Sequence, residues 1–159
     1  MKIGDLLKEG QIATGFQARD KWEAITKLVD LLISQGRLKA EHREAVYAAL
    51  AAREKVASTG MEHGVAIPHA SVDGVDDALA ALAIAPDGIS FQSADGRPAR
   101  LVILLVIPRK AVQTHIRTLA GLARLLQYEE MRDALTRSRS AREALQVIRE
   151  EEQKDPGPA

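Results

Sequence analysis

Cysteine is absent from the 159-residue sequence. The chain therefore forms no disulfide, no thiolate zinc site and no covalent intermediate on a cysteine sulfur. Aromatic residues make up only 3% of the chain, with one Trp, two Tyr and two Phe. The core must be built from Leu, Ile, Val and Ala, and few rings are available to stack on nucleic-acid bases.

Long apolar runs are also lacking. No stretch approaches the ~18 apolar residues that indicate a membrane-spanning helix. The N-terminal sequence MKIGDLLKEG has no continuous apolar segment of the kind found in secretory signals. We therefore expect a cytoplasmic protein without membrane insertion. With 46% hydrophobic and 28% charged residues, the composition is that of a folded domain.

The net charge is zero, but the charges are unevenly distributed. Residues 97–149 contain 11 Lys or Arg against 4 Asp or Glu, whereas residues 1–96 contain 10 against 14. Such arginines more often lie on solvated helix faces than on a nucleic-acid-binding surface. Because aromatic residues for base stacking are also missing, we expect no nucleic-acid partner.

Two amphipathic helices are predicted in the N-terminal third. Residues 20–35 carry apolar side chains at helical spacing, Asp20 can cap the first backbone amides, and Gly36 follows as a stop signal. Residues 40–54 form a second, alanine-rich helix.

Short strands are predicted in the middle of the chain. The apolar runs Val56–Ser58 and Val65–Ile67 flank a glycine-bounded loop. Residues 78–85 could form a helix by propensity, but their short length and the flanking Gly and Pro favour a strand. The apolar run 101–107, stopped by Pro108, is typical of a strand buried on both faces.

The last third of the chain is predicted to be helical. His115, Leu119 and Leu122 recur at helical spacing, which places one histidine in line with an apolar stripe. Ser140 and Glu143 match a capping box at the start of another helix.

Helices on both sides of a strand-rich middle predict an α/β fold. We expect one domain over residues 1–150, with a mixed β-sheet flanked by helices on both faces, and a flexible C-terminal tail over residues 151–159.

Histidines are the residues that change charge near neutral pH. His42 lies among charged residues on a predicted helix, and His63 lies in the glycine-bounded loop, so both are interpreted as exposed residues. His69 comes just after a predicted strand, where ligands and reactive groups collect in α/β sheets. Pro68 restricts the backbone beside it.

His115 also follows a predicted strand, so the two histidines could meet at one edge of the sheet. Arg53, at the end of the second helix, would add a fixed positive charge there. Two imidazoles and a guanidinium without a carboxylate triad suit a transferring phosphoryl group.

These residues lie within motifs that resemble a known family. The family is the enzyme IIA domains of the bacterial phosphotransferase system (PTS), fructose/mannitol class, also called type 2. The resemblance covers about residues 1–150. Its specific segments are Arg53-Glu54, Ser58-Thr59-Gly60 and Gly64-Val65-Ala66-Ile67-Pro68-His69, followed by Asp95-Gly96-Arg97-Pro98, 101–107 and Thr114-His115-Ile116.

The resemblance implies a phosphotransferase component with a phosphohistidine intermediate. His69 would accept the phosphoryl group from the phosphohistidine of the carrier protein HPr, while His115 stabilises that group and Arg53 neutralises its charge. No metal or other cofactor is implied. The backbone of the loop before His69 is expected to support the phosphate, through Ser58, Thr59, Gly60 and Gly64.

The surface around His69 is expected to be apolar so that HPr can dock and exclude water. Met61, Val65 and Ile67 are the nearest apolar residues in the sequence. The pair Glu62-His63 departs from the small or amide residues of typical members and adds charge beside this loop.

The absences suggest which kind of member this is. In this class the next carrier, enzyme IIB, uses a cysteine, and the transporting enzyme IIC is a membrane protein, so we expect the chain to contain neither. It resembles free-standing members of the nitrogen-regulatory type, whose downstream partner is a regulatory target protein. The alternative is a separate enzyme IIA that passes phosphate to an enzyme IIB for fructose/mannitol-type sugar uptake.

Two other hypotheses remain. One is a binding module that has lost phosphoryl transfer, although His69, His115 and Arg53 are all present. The other is a metallohydrolase with His63, His69 and His115 as ligands, although regular ligand spacing and supporting carboxylates are lacking.

Overall fold

A five-stranded mixed sheet forms the centre of the computed structural model, which describes residues 2–154. The strands are β1 (Ile12–Ala13), β2 (Val65–Ala66), β3 (His69–Val72), β4 (Leu79–Ile89) and β5 (Ala99–Pro108). Six helices surround them, namely α1 (Ile3–Leu6), α2 (Lys21–Ser34), α3 (Arg43–Val56), α4 (Val112–Leu125), α5 (Glu129–Arg137) and α6 (Ala141–Lys154).

The strand order is β1-β4-β5-β2, and β3 also pairs with β5. Strands β4 and β5 are antiparallel, while β1 runs parallel to β4, and β2 and β3 run parallel to β5. The long antiparallel pair of β4 and β5 therefore forms the centre of the sheet, and the short strands β1, β2 and β3 pair with its two outer sides.

Side chains alternate between the two faces of β5, as the period of a strand requires. Leu101, Ile103 and Leu105 belong to one buried cluster with α1, α4, α5 and α6, whereas Val102 and Leu104 belong to another with α2 and α3. The prediction of a mixed sheet with helices on both faces is confirmed.

Most local predictions hold. Asp20 caps α2 by accepting a hydrogen bond from the amide of Glu23 at 2.8 Å. Ser140 does the same for Glu143 at 3.1 Å, at the start of α6. Residues 78–85 lie largely in β4, which continues past Pro86 to Ile89 with an irregularity in its pairing.

Two predictions are wrong. Val56–Ser58 is not a strand, because α3 continues through Val56 and the carbonyl of Ala57 accepts a hydrogen bond from Arg53 rather than from the sheet. The boundary at residue 150 is also misplaced, because α6 extends to Lys154. Residues 155–159 of the expected tail lie outside the described residues.

Glu152 explains why α6 extends beyond that boundary. Its buried carboxylate accepts hydrogen bonds from the amides of Ile3 at 2.9 Å and Gly4 at 2.8 Å. Burial raises the pKa of this carboxyl group, and the two bonds oppose that rise. Helix α6 is thereby attached to the first turn of the chain.

Among the helices of residues 2–154, none is both long enough and apolar enough to cross a membrane.

Candidate active site

His69 lies in an extended segment, made of β2 and β3, that pairs with one side of β5. Val65 pairs with Leu101 and His69 pairs with Leu105, so β2 and β3 keep the same parallel register. Pro68 interrupts the ladder between them because proline has no amide hydrogen to donate. His69 is therefore the first residue of a second strand, and not a loop residue beyond the end of a strand as the sequence suggested.

The imidazole of His69 is held by a backbone carbonyl two residues earlier in the chain. Its Nδ1 lies 2.8 Å from the carbonyl oxygen of Ile67. A carbonyl oxygen only accepts hydrogen bonds, so Nδ1 carries the proton and donates it. This tautomer leaves the Nε2 lone pair of the half-buried ring available.

A pocket of about 340 Å³ brings His69, His115 and Arg53 together. It lies between the end of α3, the beginning of β3, the end of β5 and the first turns of α4. Its other lining residues are Ala49, Ala70, Ser71, Ile107, Val112, Ile116 and Leu119. The two histidines that both follow strands in the sequence thus share one cavity with the arginine.

Arg53 reaches the pocket from the last turn of α3. Its Nη1 donates a hydrogen bond to the carbonyl oxygen of Ala57 at 2.8 Å. A cation at this position is stabilised by the negative end of the helix, and the bond restricts the half-buried side chain. The guanidinium is a positioned positive charge rather than a mobile surface group.

His115 occupies the first turn of α4 and is only 6% exposed. Its Nδ1 is buried and, among residues 2–154, has no hydrogen-bond partner. An unpaired polar atom of this kind costs about 1–3 kcal/mol and is found more often at functional sites than in ordinary cores. Since Nδ1 is enclosed, Nε2 is the ring nitrogen that can reach the pocket.

A series of hydrogen bonds connects the buried carboxylate of Glu54 to the ring of His69. The Glu54 carboxylate accepts from the amide of Thr59, the carbonyl of Thr59 accepts from the amide of Ile67 at 3.1 Å, and the carbonyl of Ile67 accepts from His69. Glu54 itself is buried beside Lys21, with Glu54 Oε1 3.5 Å from Lys21 Nζ.

The loop expected to support the phosphate does not reach this pocket. Of residues 2–154, the ten that line it include none of Ser58, Thr59, Gly60 and Gly64. The amide of Thr59 donates to Glu54 and that of Gly60 donates to Ser58 Oγ at 3.0 Å. These two amides are therefore already engaged, and phosphate support by this loop stays a prediction without a contact in this pocket.

The apolar neighbours of His69 also differ from the expectation. Val65 and Ile67 are buried in the core, and Met61 packs against the same core. The pocket is instead made apolar by Ile107 of β5 and by three residues of α4, namely Val112, Ile116 and Leu119. Ile116 is 52% exposed, which is unusual for a large apolar residue.

Two of the missed lining residues carried a signal. Ser71 lies two positions after His69 in a strand, and Leu119 lies four positions after His115 in a helix. The periods of these elements place such residues beside the histidines once the elements are known.

His63 lies in a different pocket, together with Gly64 and several arginines. The three histidines of the metallohydrolase hypothesis are therefore not brought together. Within residues 2–154 no group of three His, Asp or Glu side chains is arranged to hold a metal ion.

The chain is similar to known proteins over nearly its whole length. Residues 5–151 match the family model "Phosphoenolpyruvate-dependent sugar phosphotransferase system, EIIA 2". The chain is 32% identical over 148 residues to a nitrogen regulatory protein of Bradyrhizobium diazoefficiens, covering 93% of this chain and 95% of that protein. It is 34% identical over 148 residues to the fructose-specific EIIABC component of Bacillus subtilis, covering 93% of this chain but only 23% of that longer protein.

The fold is also that of a solved relative. The crystal structure of nitrogen regulatory protein IIA-Ntr from Neisseria meningitidis superimposes with a TM-score of 0.84 and 30% identity, covering 92% of this chain and 98% of that one. The family expected from the motifs is thereby confirmed. The chain belongs to the type 2 enzyme IIA family of the phosphoenolpyruvate-dependent sugar phosphotransferase system.

Proposed function

We propose that the protein is a phosphocarrier that accepts a phosphoryl group from phospho-HPr on Nε2 of His69. The observation that carries this proposal is the hydrogen bond from His69 Nδ1 to the carbonyl oxygen of Ile67. It fixes the tautomer and the ring orientation, so the Nε2 lone pair is available without a separate general base.

The transfer exchanges one phosphorus–nitrogen bond for another. The Nε2 lone pair of His69 forms a bond to phosphorus as the bond from phosphorus to the donor histidine breaks, and that electron pair returns to the donor imidazole. The proton on Nδ1 stays in its hydrogen bond to Ile67. Because no proton has to move within this chain, the step depends on alignment and on charge stabilisation.

Arg53 and His115 are assigned the charge stabilisation. The guanidinium of Arg53 supplies a fixed positive charge against the phosphoryl oxygens. The buried Nδ1 of His115 favours the tautomer with the proton on Nε2, since an unpaired N–H in the interior costs free energy. That Nε2–H can then donate to a phosphoryl oxygen without forming a covalent bond.

The apolar rim of the pocket suits the docking of a second protein. Val112, Ile116 and Leu119 of α4 and Ile107 of β5 surround the two histidines. Covering this rim would remove water from the reacting groups, which strengthens the electrostatic contacts inside. We assign this surface to HPr and to the downstream partner in turn.

We favour a regulatory output, in which the phosphorylation state controls binding to a target protein. The chain is 32% identical to a nitrogen regulatory protein and superimposes on IIA-Ntr with a TM-score of 0.84, while a fructose-specific EIIABC component is matched at 34% identity. The second candidate is transfer to an enzyme IIB for fructose/mannitol-type uptake, which that same fructose-specific relative favours. The proposal keeps the cytoplasmic location expected from the sequence.

Intact-mass spectrometry tests the proposed acceptance. The protein is incubated with phosphoenolpyruvate, enzyme I and HPr, and one added phosphate is expected. Omission of HPr should prevent the gain. A binding module without phosphoryl transfer would stay at its unmodified mass, and that result would contradict the proposal.

The output is tested separately with the phosphorylated protein. Rapid transfer of its phosphate to a fructose-type enzyme IIB would favour the transport role. A regulatory role predicts slow transfer to IIB, together with a partner that distinguishes the phosphorylated from the unphosphorylated protein in a pull-down.

A further inference from the structure

A second pocket lies at the opposite end of the segment that carries His69. It has a volume of about 390 Å³ and is lined by Gly64 and Leu101, whereas the His69 pocket is lined by Ile107. Ile107 lies six positions after Leu101 in β5, which is about 20 Å at the rise of a strand. The two pockets are therefore separate sites.

Arginine side chains dominate this second pocket. They come from two parts of the chain, the turn and first residues of β5 on one side and α5 on the other. The four are Arg97, Arg100, Arg132 and Arg137. The sequence suggested solvated helix faces for such arginines, but the fold collects these four around one concavity.

Their charge is not neutralised by ion pairs. Glu129 and Asp133 also line the pocket, yet within residues 2–154 none of the four guanidinium groups forms an ion pair with a carboxylate. The residues that line the cavity include four arginines and two acidic residues, and the Asp95 carboxylate lies beside Arg97 as a third negative charge. An excess of positive charge in a concave site attracts anions.

The walls of the pocket are fixed before any ligand arrives. The Asp95 carboxylate accepts hydrogen bonds from the amides of His63 at 2.9 Å and Arg97 at 3.0 Å. On the other side, Arg132 Nη1 donates to the carbonyl oxygen of Leu126 at 3.0 Å. The backbone of the turn and the guanidinium of Arg132 are thus held in place, which lowers the entropic cost of binding.

We propose that this pocket binds a small molecule that carries two or more phosphoryl groups. Guanidinium groups form paired hydrogen bonds with phosphate oxygens, and four of them offer more donors than a single phosphate can use. The volume lies within the range of small-molecule sites. Glu129 and Asp133 would repel an extended polyanion that ran across the pocket, so a nucleic acid is the poorer fit.

Inorganic pyrophosphate is the probe, titrated into the full-length unphosphorylated protein and followed by calorimetry and by amide NMR shifts. We expect saturable binding of one pyrophosphate per chain, with shifts centred on Gly64 and Arg100. Shifts centred on His69 and His115 would overturn the proposal. No phosphoenolpyruvate is present, so the result does not depend on phosphoryl transfer.

Charge-matched variants separate the pocket from general electrostatics. The double variant Arg100→Gln/Arg137→Gln should weaken pyrophosphate binding by about tenfold or more, because two charge-assisted contacts are lost. The control Arg37→Gln/Arg142→Gln removes the same charge from exposed positions outside the pocket and should stay within about twofold of the unmodified protein. Equal weakening in both pairs would overturn the proposal.

Other ligands test the chemical class. Orthophosphate should bind more weakly than pyrophosphate because it engages fewer guanidinium groups. Citrate binding as tightly as pyrophosphate would contradict the phosphoryl preference. Tighter binding of a short single-stranded RNA than of pyrophosphate would replace the small molecule by a nucleic acid.

Discussion

Both carboxylate oxygens of Glu54 lie 3.1 Å from the backbone nitrogen of Thr59, which donates its hydrogen between them. Glu54 is also within 3.5 Å of the ammonium of Lys21, and the two side chains are 1% and 7% exposed. A buried ion pair thus fixes the position of Thr59. The carbonyl of Thr59 accepts a hydrogen bond from the amide of Ile67, and the carbonyl of Ile67 orients the ring of His69.

The first prediction concerns this buried pair. Glu54→Gln should reduce the free energy of unfolding by about 3–5 kcal/mol, because it leaves the ammonium of Lys21 buried without a counter-charge. Lys21→Met combined with Glu54→Gln should recover much of that loss, since no buried charge remains. Chemical denaturation of the variants measures both, and a double variant no more stable than Glu54→Gln alone would contradict the explanation.

The second prediction concerns the phosphoryl acceptor. His69→Ala should abolish phosphate uptake from phosphoenolpyruvate, enzyme I and HPr, because no other nitrogen in the pocket is equally free to attack. The free energy of unfolding should change by less than about 1 kcal/mol, since the ring is half-buried and makes one backbone hydrogen bond.

His42→Ala provides the matched control for that experiment. His42 precedes α3 and lies outside the pocket, so this variant should gain phosphate at the normal rate. Uptake by His69→Ala at the rate of the control would refute the assignment of His69.

The third prediction separates the two histidines of the pocket. His115→Ala should still become phosphorylated, but the rate should fall by roughly 10²–10³, as for the loss of one positioned donor worth about 2–4 kcal/mol. Rapid-quench measurement of phosphate gain gives the rate. Fragmentation of the phosphoprotein at neutral pH locates the phosphate, and its presence on His115 itself would reverse the assigned roles.

The fourth prediction concerns pH and the turn that carries Asp95. Hydrogen bonds from the amides of His63 and Arg97 lower the pKa of this carboxyl group below its usual value near 3.9. A depressed pKa in the folded state stabilises the fold above the unfolded pKa, and this stability is lost as the pH falls through the folded pKa.

Asp95→Asn should therefore melt below the unmodified protein at neutral pH, and the difference in Tm should shrink as the pH falls below about 4. Thermal denaturation followed by circular dichroism at several pH values measures this. A difference in Tm that stays constant from neutral to acid pH would show that the carboxylate charge plays no part.

The sequence predicted the structure correctly where that structure depends on residues that are close together in the sequence. Asp20 caps α2 as predicted, and the apolar run 101–107 forms the buried strand β5, because capping and burial depend on neighbours in the sequence. The run Val56–Ser58 was too short to be distinguished from the end of a helix. The side chain of Arg53 satisfies the carbonyl of Ala57 there, so no strand partner is needed.

The candidate site was predicted only in part, for a physical reason. The positions of His69 and His115 after strands indicated a shared edge, and the structure places both in one pocket with Arg53. Glu54 accepts a hydrogen bond from the amide of Thr59 and pairs with Lys21, which lies 33 residues before Glu54 in the sequence. The apolar rim likewise depends on how α4 crosses the sheet. Contacts of this kind arise only from tertiary packing, so no local pattern reports them.

The bonds from Glu152 to the amides of Ile3 and Gly4 place the first and last helices side by side. A circular permutant can therefore be made by linking residue 154 to residue 2 through a short polar connector. The new ends belong in the exposed turn around Gly36, between α2 and α3. This opening cuts no strand pairing, so the rearranged chain retains the complete sheet, and the turn that is opened contributes no residue to the His69 pocket.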